Sequence, residues 1–440
     1  MGRIDQLERP THVRYAVLAI ACALAVLTYV QRQGFVAGTP YIQRDLRLDD
    51  VQMGLLLAGW LVAYGIFQVP GGLLGDRLGS RHLLTILVLG WSTVLASVAL
   101  IALLPAEGWL AFPLLFVLRF LFGSFQAGGF PALARVIADW VPSGQRGFAQ
   151  GLIWTCSRLG GAVAPLLGLW LFEVYSGWAI PFVIVAALGV LWCAAFWPWF
   201  RNRPSEMSAV NMAELSIIAP LRPQTECPSP PRPIPWTRFL ASRNVWALCL
   251  LYGFVGFSGN FITNWLPAYV KKHRELSDKE TAMVAALPLA FGIVSCVLAG
   301  FLSDGINRWT GRRNLGRRVV GCTSLSLAAV AIASSIWVED VWLLALTFSM
   351  AFFFNDATMG PAWASCADIG ERYAGALSGA MNMTGSFFAA FAMYVAGVLF
   401  YWHLDEAVFL MFAASYTLGA VCWLAVDVTK PVVATPQAAE

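Results

Sequence analysis

Apolar runs long enough to cross a bilayer recur twelve times along this chain, and that recurrence restricts its fold more than any other feature. A spanning helix needs about 20 predominantly apolar residues. The runs fall at 14–38, 51–73, 82–104, 110–138, 147–172, 177–200, 244–270, 281–303, 317–337, 341–367, 373–401 and 406–427. Lipid offers no hydrogen bonds to the backbone, so each run must satisfy its own peptide groups as a helix. The expected fold class is therefore an all-α polytopic membrane protein with twelve transmembrane helices. Charged residues make up 12% of the chain, where a soluble domain carries about 25%.

The charges that are present sort by loop. Arg3, Arg9 and Arg14, then Arg77 and Arg81, six arginines from Arg201 to Arg243, and Arg308, Arg312, Arg313, Arg317 and Arg318 all fall on one side of the expected topology. The positive-inside rule makes that side cytoplasmic, with both termini on it, in a multi-pass cell inner membrane. The net charge of +4 then records orientation rather than a nucleic-acid partner. The run Lys271, Lys272, His273 and Arg274 goes against the rule. The first span has no small-residue cleavage site and reads as retained in the membrane. Nine cysteines include no CxxC pair, so neither a disulfide framework nor a metal site is implied. The sequence carries no nucleotide loop or nucleophile-base constellation, which argues against an enzyme. No cofactor is expected, and the protein is expected to act as a monomer.

Between residues 201 and 240 the chain turns polar and proline-rich, a composition that cannot continue a helix. This is the expected cytoplasmic linker between an N-terminal bundle at 1–200 and a C-terminal bundle at 241–430, with a tail at 431–440. Offsets of roughly 226 to 230 residues superpose the two halves. Asp76 meets Asp304, Pro40 meets Pro267, Pro131 meets Pro361, and Gln145–Arg146 meets Glu371–Arg372. Such a parallel repeat implies two pseudo-symmetric six-helix bundles.

Four ionisable residues lie in mid-span, each at least twelve residues from any other charge: Arg32, Arg119, Arg158 and Asp356. An ion at such depth costs about 2.5 to 3.5 kcal/mol on insertion scales and is by default a functional residue. The three arginines sit on the first, fourth and fifth helices, with no acid at similar depth in that half. An anionic small-molecule substrate would neutralise them and accept their forked hydrogen bonds; the alternative is that each satisfies helix carbonyls or a neighbouring glutamine. Asp356 reads as a proton or sodium site, a structural or gate residue, or a substrate contact. Asn260, Asn264, Asn355 and Asn382 can read substrate hydroxyls or bridge helices. Tyr29 and Trp154 can stack on a sugar-like face or pack. The loop from Gly72 to Arg81, GLLGDRLGSR, has a looser copy around Asp304. Asp76, Arg77, Arg81 and Asp304 are its expected gate residues.

That loop, its second copy and the six-plus-six layout resemble the major facilitator superfamily across essentially the whole chain. More narrowly, the sequence resembles its anion-cation symporter branch, which includes bacterial sugar-acid symporters and vesicular glutamate transporters. The matching strings are Gln31-Arg32, Tyr64 through Gly72, Arg119 with Gln126, and Gly360-Pro361-Ala362-Trp363 through Asp368. The resemblance implies two bundles rocking around a central site, with Arg32 recognising a carboxylate and Tyr64 lining the cavity. Many bacterial members carry carboxylates, which take up the coupling protons, where this chain has Gln31 and Gln126. The offset of 230 places Gln126 on Asp356, so the expectation is that Asp356 replaces the missing acids. The function implied is secondary transport of a small organic anion, a sugar acid or other carboxylate, coupled to protons or sodium. The alternatives are an uncoupled facilitator, an anion exchanger, or a membrane sensor without flux.

Overall fold

The computed structural model describes residues 9–48, 50–103, 110–218, 236–264, 278–402 and 404–432. Its membrane-length elements are α1 (Val13–Asp45), α2 (Asp50–Leu78), α3 (Ser80–Ile101), α4 (Ala111–Trp140), α5 (Arg146–Val174) and α6 (Ala179–Trp199), followed by α7 (Arg243–Asn264), α8 (Asp278–Thr310), α9 (Arg313–Ser334), α10 (Val341–Gly370), α11 (Ala374–Tyr401) and α12 (Asp405–Ala425). Ten of these meet the length and apolarity needed to cross a bilayer. The packing repeats between halves: α5 lies against α1 and α8, as α11 lies against α7 and α2. Much of the linker, the 271–274 loop, and the side chains of Asn260, Asn264 and Arg372 fall outside the described residues.

Two helices are broken in mid-membrane, at equivalent places. Pro131 has no N–H to give the carbonyl of Ala127, and Pro361 has none for Ala357. The first segments of α4 and α10 accordingly stop at Ala127 and Asp356, and new ones begin at Gly129 and Met359. Each break leaves a polar residue, Gln126 or Asp356, in the last turn before it.

The end of the bundle that carries the termini and linker is closed. Asp76, at the end of α2, accepts the backbone N–H groups of Gly375 (3.1 Å) and Ala376 (2.8 Å) at the start of α11. Asp304, near the end of α8, accepts that of Phe148 (2.7 Å) at the start of α5. Asp76 and Asp304 are 228 residues apart, as are Phe148 and Ala376, so the repeat is written into the gate itself. Each carboxylate caps a helix of the opposite half, where the N-terminal dipole favours negative charge. Around them run Arg135–Asp76 (3.7 Å), Arg317–Asp304 (2.9 Å), Arg317–Asp368 (3.8 Å) and Arg146–Asp368 (2.6 Å).

Glycines allow this closure. A Cβ on Gly72 would sit 2.1 Å from the carbonyl oxygen of Gly375, and one on Gly151 2.2 Å from that of Cys296. The helices therefore meet backbone to backbone, as small residues permit. Gly72→Val is expected to cost the closed state about 1–3 kcal/mol through overpacking. Distance measurements between spin labels on the ends of α2 and α11 should report a closed population reduced about tenfold; an unchanged distribution would contradict the contact.

The linker is tied to the first bundle by Glu214, on a short helix Met212–Ile218. Its carboxylate accepts from the Thr11 hydroxyl and from the N–H groups of Val13 and Arg14 (3.0 Å each), capping α1. Burial alone would raise its pKa, but these hydrogen bonds and the Arg14 charge outweigh it and hold the group below its usual range.

Candidate functional site

Arg32 projects from α1 into an aromatic cage. Its guanidinium carbon lies 4.8 Å from the ring centroid of Tyr29, 4.6 Å from Trp60 and 4.7 Å from Tyr64. Its Nε donates to Gln126 Oε1 at 3.3 Å, and the Gln126 amide donates in turn to the Thr28 carbonyl at 3.2 Å. Its Nη2 is buried with no acceptor. Arg119 is 2% exposed and lies 3.8 Å over Phe35, with Trp60 at 6.0 Å. Its Nε and Nη1 are also buried without acceptors, as is the indole N–H of Trp60. Ring faces attract these cations but cannot replace hydrogen bonds, and a buried donor left unpaired costs about 1–3 kcal/mol. Among the described residues no carboxylate pairs with either guanidinium. The cluster gathers two cations and their unpaired donors around the Trp60 ring.

Arg158 differs from the expectation that all three arginines lack a protein counter-ion. Its Nε and Nη2 donate to the two carboxylate oxygens of Asp356, at 2.7 and 2.9 Å. This bidentate pair joins α5 of one half to α10 of the other. Asp356 is fully buried; it also receives the Asn355 amide at 3.1 Å and lies 3.8 Å from the Cys296 sulfur. Arg158 thus has its counter-ion across the interface, and Asp356 holds an arginine assigned from sequence to the substrate, rather than standing beside Arg32 or Arg119.

On the terminus-bearing side of these ions lies an aromatic layer. Phe130 and Trp154 stack at 4.9 Å, Trp363 packs against both at 6.0 and 5.6 Å, and the Trp363 indole donates to the Tyr252 hydroxyl at 3.2 Å. The four rings come from α4, α5, α10 and α7, so both halves contribute to a floor beneath Arg32, Arg158 and Asp356. Trp154, assigned from sequence to a substrate face, is part of this floor. Asn382 donates to the Tyr64 hydroxyl at 3.3 Å and Gln68 to the Ser386 hydroxyl at 2.9 Å, two further bridges between halves.

Three assignments from sequence are redirected. Gln31 faces away from Arg32: its amide donates to the Val185 carbonyl (3.0 Å) and Ser92 (3.3 Å) and accepts from the Trp91 indole (2.6 Å). It is a fully used structural amide inside the first bundle. Arg81 donates to the Trp197 carbonyl at 3.0 and 2.8 Å and stacks on that indole, tying α3 to α6 rather than closing the gate. Arg77 is exposed, and Arg135, Arg146, Arg317 and Asp368 supply the gate's ion pairs instead. Trp60 and Phe35 were not singled out from sequence, although Trp60 lies four residues before Tyr64 and therefore on its helix face.

The profile of the Major Facilitator Superfamily matches residues 21–393. This chain belongs to the major facilitator superfamily. As a major facilitator it is a multi-pass membrane transporter, not an enzyme. It is similar to a protein of Cupriavidus necator named as a probable sulfoacetate transporter, with 30% identity covering 86% of this chain and 85% of the relative. A hexuronate transporter of Bacillus subtilis is 27% identical over 81% of each chain. A probable galactarate/D-glucarate transporter of Escherichia coli is 27% identical over 87% of this chain and 86% of its own. In fold, this major facilitator superposes on a proton:xylose symporter with a TM-score of 0.74 at 14% identity, covering 95% of this chain and 96% of that one.

Proposed function

We propose that this major facilitator moves a small organic anion, a sugar acid or comparable carboxylate, across a cell inner membrane by alternating access, with both termini cytoplasmic and the protein acting as a monomer. The observation that carries the reading is the pair of mid-membrane guanidiniums, Arg32 and Arg119, with buried donors at Arg32 Nη2 and Arg119 Nε and Nη1 that find no acceptor among the described residues. Relatives named for sulfoacetate, hexuronate and galactarate or glucarate support it. Substrate would enter from the side opposite the gate, displace water around Arg32, and rest on the aromatic floor. Tyr29 and Tyr64 flank that position, and Asn382 supplies an amide from the second half.

Coupling is assigned to Asp356, through a proton or sodium ion. Gln31 and Gln126 cannot titrate, whereas Asp356 is a carboxylate held by a partner on the opposite half. When the halves rock, that pair must lengthen, and a carboxylate losing its guanidinium in a dry site takes up a cation. The two glutamines also favour a second reading, an uncoupled facilitator or exchanger. Proteoliposomes carrying the charge-neutral double variant R158Q/D356N separate the two. We expect it to exchange labelled anion while losing accumulation driven by an imposed pH or sodium gradient, by about tenfold or more, because exchange needs only the anion receptor. Gradient-driven accumulation at wild-type level in that variant would remove Asp356 from the coupling step.

A further inference from the structure

The membrane interior holds four mid-span charges, and the structure divides them into two groups. Arg158 and Asp356 form a closed bidentate pair and contribute no net charge. Arg32 and Arg119 remain, both with guanidinium carbons within 6.0 Å of the centroid of one indole ring, Trp60. Their polar neighbours Gln126 and Thr28 are neutral. Four buried N–H groups around that ring have no acceptor: Arg32 Nη2, Arg119 Nε and Nη1, and Trp60 Nε1. Two like charges sharing a low-dielectric site repel, and a ligand is favoured in proportion to how fully it cancels them. A monoanion leaves one positive charge uncompensated inside the membrane. A dianion leaves none.

We infer that the substrate is a dianion carrying two separate acid groups on a short skeleton, one engaged by Arg32 and the other by Arg119, with Arg158 held out of the substrate's charge balance by Asp356. The inference rests on the organic-anion reading above and narrows it to diacids. Two acid groups suit the geometry better than one doubly charged head group. Arg32 sits among Tyr29, Tyr64 and Trp60, while Arg119 sits over Phe35 and reaches Trp60 only at 6.0 Å. The free donors therefore belong to two guanidiniums with different ring partners. The charge count also separates two roles: the arginines of α1 and α4 select the substrate by charge, and the pair between α5 and α10 responds to rocking of the halves.

Binding to the purified full-length protein, followed by thermal shift and by competition with a labelled ligand, tests this with matched probes. The probes are a six-carbon aldarate, the aldonate of the same chain, and a sugar phosphate. The aldarate is expected to bind at least tenfold tighter than the aldonate. Arg119→Gln should bring that ratio close to one, and Arg119→Lys should keep most of it. Equal binding of aldarate and aldonate would overturn the inference while leaving the organic-anion reading in place, as would a ratio unmoved in Arg119→Gln. Tighter binding of the sugar phosphate would replace two acid groups with one. Absence of binding by all three would defeat the broader reading and this one with it.

Discussion

Replacing either member of the Arg158–Asp356 pair alone will destabilise the protein by about 3–5 kcal/mol, and replacing both will cost much less. The reason is solvation. Asp356 is fully buried and receives two guanidinium hydrogen bonds at 2.7 and 2.9 Å. In Arg158→Gln the carboxylate keeps only the Asn355 amide and the weak Cys296 sulfur contact, so a near-bare charge is stranded in the interior. In Asp356→Asn the guanidinium is stranded instead, and the neighbouring rings of Trp154 and Phe352, at 5.7 and 5.2 Å, return little of the loss. The double variant strands neither. A double-mutant cycle on unfolding in detergent isolates the coupling. Strictly additive single effects would contradict the pairing. Lys430, exposed and paired with Asp427, is the control, where Lys430→Gln is expected to change stability by under about 1 kcal/mol.

Arg32→Gln will lower affinity for the transported anion by about a hundredfold without lowering the stability of the empty protein. Each charge-assisted hydrogen bond contributes about 1.5–3 kcal/mol, and a factor of one hundred in affinity corresponds to about 2.8 kcal/mol. The empty protein should not suffer, because removing Arg32 relieves its repulsion with Arg119 and removes a buried donor that has no acceptor. Lysine at position 32 should recover only part of the affinity, since an ammonium cannot present the forked donors that match a carboxylate. Loss of binding together with loss of stability would point instead to a structural role in the aromatic cage. The two results therefore separate a ligand-binding arginine from a packing one.

The twelve-helix membrane fold was legible in the sequence because lipid leaves the backbone so few alternatives. The repeat was legible too, and the 228-residue offset reappears as two aspartates capping equivalent helices of opposite halves. What could not be read was direction around each helix axis. Successive helical residues point about 100° apart at 3.6 residues per turn. If Arg32 faces the path, then Gln31 next to it faces the bundle, and it does so against Trp91 and Val185. The partnership of Arg158 with Asp356 was hidden for a related reason. The residues are 198 positions apart, and their meeting depends on how the two halves dock. The gate arginines beyond the Gly72–Arg81 loop were missed because Arg135 and Arg317 sit among the ordinary charges of helix ends. Only the closed interface selects them.

The most direct test of the account is anion counterflow in proteoliposomes, comparing wild type with Arg32→Gln. Vesicles preloaded with unlabelled aldarate should draw in labelled aldarate, and the Arg32→Gln protein, reconstituted at equal density, should retain less than about a tenth of that signal, given that most of its binding energy for the acid group is gone. Undiminished counterflow in Arg32→Gln would contradict the assignment of the buried arginines to the substrate.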